Sequence, residues 1–269
     1  MDYVQPAKLM EELIAAGQRK TALSVKDMLV RGFLAGVFLG YATSFAFKVS
    51  DGLGGGMAAL VSSAVFPVGF VLIVLLGLEL VTGNFALLPM SFVAGKIGSK
   101  ALLRNWGWVF LGNLAGSLFY GILLALTLTQ AFTAEASGAL AEKIIAVAQA
   151  KTFAYQQAGL AGWLTAFTKA VLCNWMVAIG TIVGLTSTST IGKITAAWLP
   201  IMTFFALAYE HVVVNMFVVP TAMLLGADID FSQWWLWNHI PVTLGNIAGG
   251  AIFTGMLLHV TYGVHAENS

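Results

Sequence analysis

Glu79-Leu-Val-Thr-Gly-Asn84-Phe-Ala-Leu-Leu-Pro89 and Glu210-His-Val-Val-Val-Asn215-Met-Phe-Val-Val-Pro220 carry one spacing, Glu-x4-Asn-x4-Pro. Each copy sets a carboxylate, an amide and a proline into an otherwise apolar stretch. An ionised side chain at the centre of a lipid bilayer costs about 2.5–3.5 kcal/mol on insertion scales, so such groups persist where they line a cavity or meet a partner. Paired interruptions at corresponding places in two halves are the mark of a transporter built from repeats, with its pathway at the breaks.

The rest of the composition fits a chain made for lipid. Of 269 residues, 59% are hydrophobic and 9% charged, against about 25% charged in soluble domains. A net charge of +1 gives no reason to expect nucleic acid. One cysteine, Cys173, excludes an intrachain disulfide and a cysteine-built zinc site. No metal or other cofactor is expected. Residues 1–26 are polar and mildly amphipathic, without a signal-peptide apolar run, and read as a short cytoplasmic helix on the membrane surface. Residues 27–262 form the membrane domain, and 263–269 a cytoplasmic tail.

Six apolar segments are expected, at about 28–48, 57–94, 106–130, 161–185, 194–225 and 235–262. Each has the ~20 residues needed to span. The second and fifth are too long for one simple span and carry the paired motif, so each reads as a helix broken near its middle, its unwound backbone facing a cavity. The repeat continues outside the breaks. Asn105-Trp-Gly-Trp-Val-Phe-Leu-Gly-Asn-Leu-Ala-Gly116 opens the third segment, and Asn238-His-Ile-Pro-Val-Thr-Leu-Gly-Asn-Ile-Ala-Gly249 opens the sixth. Three spans repeated once must be inverted, because three is odd. The fold expected is therefore an all-α integral membrane protein of six transmembrane helices in two inverted three-helix repeats, helices two and five broken. Arg31 and Lys169 fall at matching positions and are expected near opposite faces. Lysine and arginine cluster in the N-terminal stretch and in the loops after segments two and four, which puts both termini in the cytoplasm. Trp163, Trp234, Trp235 and Trp237 fit an outer aromatic belt, Trp106 and Trp108 an inner one. Gly112, Ala115, Gly116, Gly245, Gly249 and Gly250 would let helices three and six approach closely.

Glu210-His211 is the sharpest chemical feature. A histidine in a narrow apolar pore stays neutral until an anion arrives to pair with its charged form. A weak-acid anion and a proton would then meet at His211 and cross with little net charge. The alternative is a structural histidine satisfied by Glu210 or a carbonyl. Glu79 and Glu210 are read as anchors that satisfy N–H groups freed at the breaks, with Asn84 and Asn215 bridging the same breaks. Thr82 could present its hydroxyl opposite His211. Lys169, one turn from Asn174, and Arg31 would draw anions into the two vestibules. Gly52–Gly56 lacks the lysine of a phosphate loop and reads as a connection. Thr186–Thr190 reads as a solvated turn. His239, His259 and His265 are out of helical reach of one another and suggest no metal site; His239 and His265 are expected at interfaces.

Taken together, Leu80-Val81-Thr82 at the first break, Lys169 with Asn174, Glu210-His211 with Asn215, and Asn238-x2-Pro241-Val-Thr-Leu-Gly245-Asn246 resemble the formate/nitrite transporter family over essentially all six segments. The resemblance implies an aquaporin-like protomer assembled as a pentamer in the plasma membrane, one pore per protomer. It implies passage of a small monovalent anion or its acid: formate first, then nitrite, hydrosulfide, acetate or lactate. His211 would be the central pore residue and Thr82 its partner, on a pathway that also includes Asn174, Asn215 and Lys169. Apolar constrictions would fall at Phe66, Phe70, Leu80, Val81, Val177 and Phe204. Glu79 and Val81 replace an aspartate and a phenylalanine found in some formate channels. Two readings of other classes stand beside this one. A neutral-solute pore of the aquaporin kind lacks its Asn-Pro-Ala here, and an intramembrane enzyme with Glu210-His211 as base lacks a nucleophile within helical reach.

Overall fold

The computed structural model describes residues 2–266. Its regular structure is helical, apart from one antiparallel bridge between Tyr3 and Ser187. A short helix α1 (Pro6–Thr21) precedes α2 (Val25–Val49), α3 (Gly55–Val65), α4 (Pro67–Leu75), α5 (Val81–Val93) and the long α6 (Ser99–Leu128). Then follow α7 (Ala139–Lys151), α8 (Phe153–Gln157), α9 (Gly159–Val183), α10 (Thr190–Ala206) and α11 (Val212–Leu224). The last run comprises α12 (Phe231–Trp234), α13 (Ile240–Gly250) and α14 (Leu257–Ala266), joined by π-helical turns at Trp235–His239 and Ala251–Met256. Five helical runs are long and apolar enough to cross a membrane. The fifth expected segment is instead two shorter apolar helices, α10 and α11. Between the expected third and fourth segments lie α7 and α8.

Both breaks are built the same way. After α4 the chain turns through Gly77 at φ +62°, with Gly77 N–H donating to Val74 O and Leu78 N–H to Ile73 O. After α10 it turns through Ala208 at φ +50°, with Ala208 N–H donating to Phe205 O and Tyr209 N–H to Phe204 O. This pair of bonds is a Schellman helix stop, which needs a left-handed residue at the turn. The helices resume at Val81 and Val212, so Pro89 and Pro220 sit inside α5 and α11 and do not make the breaks.

Glycines set the closest packing. A Cβ at Gly116 would strike the Phe33 carbonyl of α2, and one at Gly249 the Val171 carbonyl of α9. Gly112 and Gly245 likewise face Leu29 and Gly32 of α2 and Phe167 and Ala170 of α9. These residues therefore seat α6 on α2 and α13 on α9; they do not bring helices three and six together, as their composition had implied. The physical reason is that each long helix presents its small residues to the first helix of its own half, where backbones meet without side chains between them.

The N-terminal helix corrects another expectation. Met10, Leu13 and Ala16 are buried in a cluster with Leu87, Leu88 and Met90 of α5, so the apolar face of α1 is covered by protein and not by lipid. Ser91 O–H donates to Ile14 O at 2.8 Å beside Gly17. Ahead of α1, the Asp2 carboxylate accepts from the hydroxyls of Ser187, Thr188 and Ser189 and from the N–H groups of Thr188 and Ser189, at 2.6–3.0 Å. The supposed solvated turn at Thr186–Thr190 is thus the anchor of the N-terminus. Of the expected aromatic belts, Trp234 is buried and Trp106 is partly buried against the core, with its Nε1–H donating to Asn84 O.

Gly116→Ala and Gly249→Ala should each destabilise the detergent-solubilised protein by about 1–3 kcal/mol, the range for overpacking; unchanged melting would contradict the close approach. The hydroxyls and N–H groups around Asp2 hold its carboxyl well below the usual carboxylate range. A depressed value stabilises docking above the usual carboxylate range and is lost as pH falls through it. Hydrogen-exchange protection factors in α1, corrected for intrinsic exchange at each pH, should therefore stay unchanged from neutral pH down to about pH 4, whereas Asp2→Ala should lower them at neutral pH.

Candidate functional site

Backbone freed at each break needs partners, since lipid offers none. Two asparagines supply them. Asn113 Oδ1 accepts from Val81 N–H at 2.9 Å, and its Nδ2 donates to Glu79 O at 2.8 Å and Gly32 O at 2.9 Å. Asn246 repeats the arrangement: Oδ1 accepts from Val212 N–H at 2.8 Å, and Nδ2 donates to Glu210 O at 2.9 Å and Ala170 O at 2.8 Å. Among the described residues, Val81 N–H and Val212 N–H are satisfied this way, and no break N–H reaches the Glu79 or Glu210 carboxylate, which had been expected to accept them. An amide fits because it presents an acceptor and donors side by side.

The carboxylates are occupied elsewhere. Glu79 Oε1 accepts from Lys20 Nζ at 2.7 Å, and Oε2 from Asn84 Nδ2 at 2.8 Å. Asn84 Nδ2 also reaches Asn105 Oδ1 at 2.8 Å, and Asn105 Nδ2 returns to Lys20 O at 3.0 Å. In the second half, Glu210 Oε2 accepts from Lys151 Nζ and Asn215 Nδ2, both at 2.7 Å. Asn215 Nδ2 also reaches Asn238 Oδ1 at 3.0 Å, and Asn238 Nδ2 donates to Lys151 O at 3.0 Å. The second half adds one donor: Tyr155 O–H reaches Glu210 Oε1 at 2.8 Å. Both carboxylates are almost fully buried, at 3% and 2% side-chain exposure.

At the centre the halves differ. His211 opens α11, and its Nδ1 accepts from Val214 N–H at 3.3 Å. A backbone N–H can only donate, so Nδ1 is bare and the ring proton sits on Nε2. That nitrogen lies 3.1 Å from Thr82 Oγ1, which accepts from it. Beside this contact Asn174 of α9 ties the start of α5 to α13, its Nδ2 donating to Thr82 O at 3.1 Å and Asn246 O at 2.6 Å.

A cavity lies toward each side. One, of about 320 Å³, is lined by Arg19, Lys20, Arg31, Phe70, Glu79, Leu80 and Asn84. The other, of about 310 Å³, is lined by Lys143, Lys151, Phe204, Phe205, Tyr209 and His211. Phe204 lies over His211 at 5.6 Å between ring centroids and meets Phe66 edge-on, also at 5.6 Å. Val81 and Val177 are buried and line neither cavity. Arg31 lines the first cavity as expected. Lys169 lines neither; its carbonyl accepts from Glu210 N–H at 3.5 Å. Asn174 and Asn215 also line neither; their Nδ2 groups are spent on the scaffold, while each Oδ1 is buried without a partner among the described residues. His239 is buried, not at an interface, and neither ring nitrogen has a partner among the described residues. The His265 side chain lies outside the described residues, as do residues 267–269 of the expected tail.

Sequence reasoning passed over Lys20, Lys151 and Tyr155. A signal for the lysines was present: each precedes its glutamate by 59 residues.

The arrangement is that of a multi-pass membrane protein with two broken helices meeting between two cavities, the arrangement of a channel or transporter. The comparisons agree. The family profile "Formate/nitrite transporter" matches residues 7–260. A "probable formate transporter" of Methanothermobacter thermautotrophicus is 37% identical over 97% of each chain. The uncharacterized transporter YrhG of Bacillus subtilis is 36% identical over 97% of this chain and 95% of its own. A solved structure titled "Pentameric formate channel with formate bound" superposes with a TM-score of 0.72 at 29% identity, covering 88% of this chain and 97% of that one. This chain belongs to the formate/nitrite transporter family, whose members are channels and transporters and not enzymes.

Removing one partner of a buried ion pair costs about 3–5 kcal/mol, because the other charge is left uncompensated. Lys151→Met should therefore destabilise the protein by about that much, and adding Glu210→Gln should recover most of the loss. Additive losses in thermal melts would mean that the pair is not coupled.

Proposed function

We propose that this protein conducts formate, as the anion with an accompanying proton, through a pore centred on His211. The carrying observation is the His211 Nε2–Thr82 Oγ1 contact between two cavities with basic linings. An entering carboxylate would replace this mutual contact, accepting from the Nε2–H and from the threonine hydroxyl. Nδ1 is engaged with Val214, so the imidazole offers one hydrogen bond, and it takes a second proton only by giving that bond up. A bare anion would then face the apolar residues Phe66, Phe70, Leu80, Val81, Val177 and Phe204, where unneutralised charge is costly. Arrival of a proton at the anion removes that cost.

The family supports formate, and the relatives named for it are its nearest guide; nitrite and hydrosulfide, acetate and lactate are alternatives of the same size class or slightly larger. The remaining parts of the reading are of one piece. Residues 27–262 form six segments in two inverted repeats of aquaporin-like plan, with 1–26 and 263–269 on the cytoplasmic side of the plasma membrane. Matching hydrogen bonds in the two halves favour the repeat, lysine and arginine placement favours the orientation, and the pentameric formate channel favours five protomers.

The test is formate uptake into proteoliposomes across external pH, with and without a proton gradient. Wild-type uptake should rise as pH falls and follow the gradient. His211→Ala should cut it at least about ten-fold and flatten the pH profile, the scale of losing a positioned proton-handling group. Uptake driven by membrane potential alone, or a profile unchanged in His211→Ala, would overturn the reading.

A further inference from the structure

Resting on that reading, we propose that Lys143 is the capture residue for the anion in the α7-side vestibule. Lys143, Val147 and Lys151 are spaced four apart along α7, so they share one helix face, and all three line the cavity that ends at His211. The adjacent face of α7 is buried through Ala141, Ile144 and Ala148, and the lysine stripe beside it is turned to the cavity. The two lysines are in different situations. Lys151 is largely buried, and its ammonium is bound to Glu210. Lys143 is exposed and makes no ion pair among the described residues. It is therefore the cation of this vestibule whose charge is not already spent. Lys169, which the sequence had put forward for this role, lines neither cavity.

The acidic groups near it are Glu142 and Asp51, which join Lys143 around a shallower adjoining cavity of about 340 Å³. Neither lines the cavity with His211. An anion would thus meet Lys143 at the rim and pass along the α7 face to the ammonium of Lys151 and the ring of His211. Such a charge acts through the vestibule potential and raises local anion concentration without forming a tight site.

Lys143→Cys supplies the test. The native Cys173 is buried, so an impermeant methanethiosulfonate reagent addresses position 143. Near 10 mM salt, where the screening length is about 30 Å, Lys143→Cys should raise half-saturating formate about two- to four-fold. A trimethylammonium reagent should restore it, and a sulfonate reagent should raise it further. Near 1 M salt, where the screening length is about 3 Å, all these differences should vanish. Lys169→Cys should show no dependence on reagent sign. Wild-type half-saturation in Lys143→Cys at low salt, or equal effects of both reagents, would overturn the role of Lys143 while wild-type flux stayed intact. Absence of formate flux in correctly inserted wild-type protein would overturn the functional reading beneath it.

Discussion

At Leu76–Leu80 and at Leu207–His211 the chain leaves the helix inside a region where lipid supplies no hydrogen bonds, and every peptide group there must find a protein partner. Asn113 and Asn246 meet this demand by bonding one N–H and one carbonyl at each break and a second carbonyl on a neighbouring helix. Much else is arranged around that requirement. The asparagines reach the breaks because α6 lies close on α2 and α13 on α9, and those approaches depend on glycines that let backbones touch. Without the glycines the amides would stand too far away, and without the amides the breaks would be unaffordable in lipid.

The buried lysine–glutamate pairs serve the same architecture in another way. Each glutamate follows directly on the left-handed stop and heads the resumed helix, and each takes a lysine from a short helix outside the long apolar runs. The short helices α1 and α7 are thereby tied to the two breaks.

Against this repeated frame, the two halves differ at a few positions. The first break presents Leu80 and Thr82 where the second presents His211 and Val213, so a single hydroxyl and a single imidazole face each other. Tyr155 adds a donor to Glu210 that Glu79 lacks. A frame fixed by matching bonds leaves these few positions free to differ.

The sequence by itself determined the class of the protein, because apolar runs and paired polar interruptions are local and directly readable. It located both breaks to within a few residues and singled out Glu79, Asn84, Glu210, His211 and Asn215. It also carried the resemblance that the family profile bears out. Tertiary structure alone decided the partners. Lys20 and Lys151 share one spacing of 59 residues to their glutamates, but a matched spacing does not by itself show contact; Lys169, nearer to Glu210 in sequence, lines neither cavity. The glycines signalled close packing without naming the helix they meet, since a small residue permits contact on its face but does not choose the neighbour. The docking of α1 was likewise invisible, because an apolar stripe fits lipid and protein equally, and only the face of α5 beneath it determined which it met.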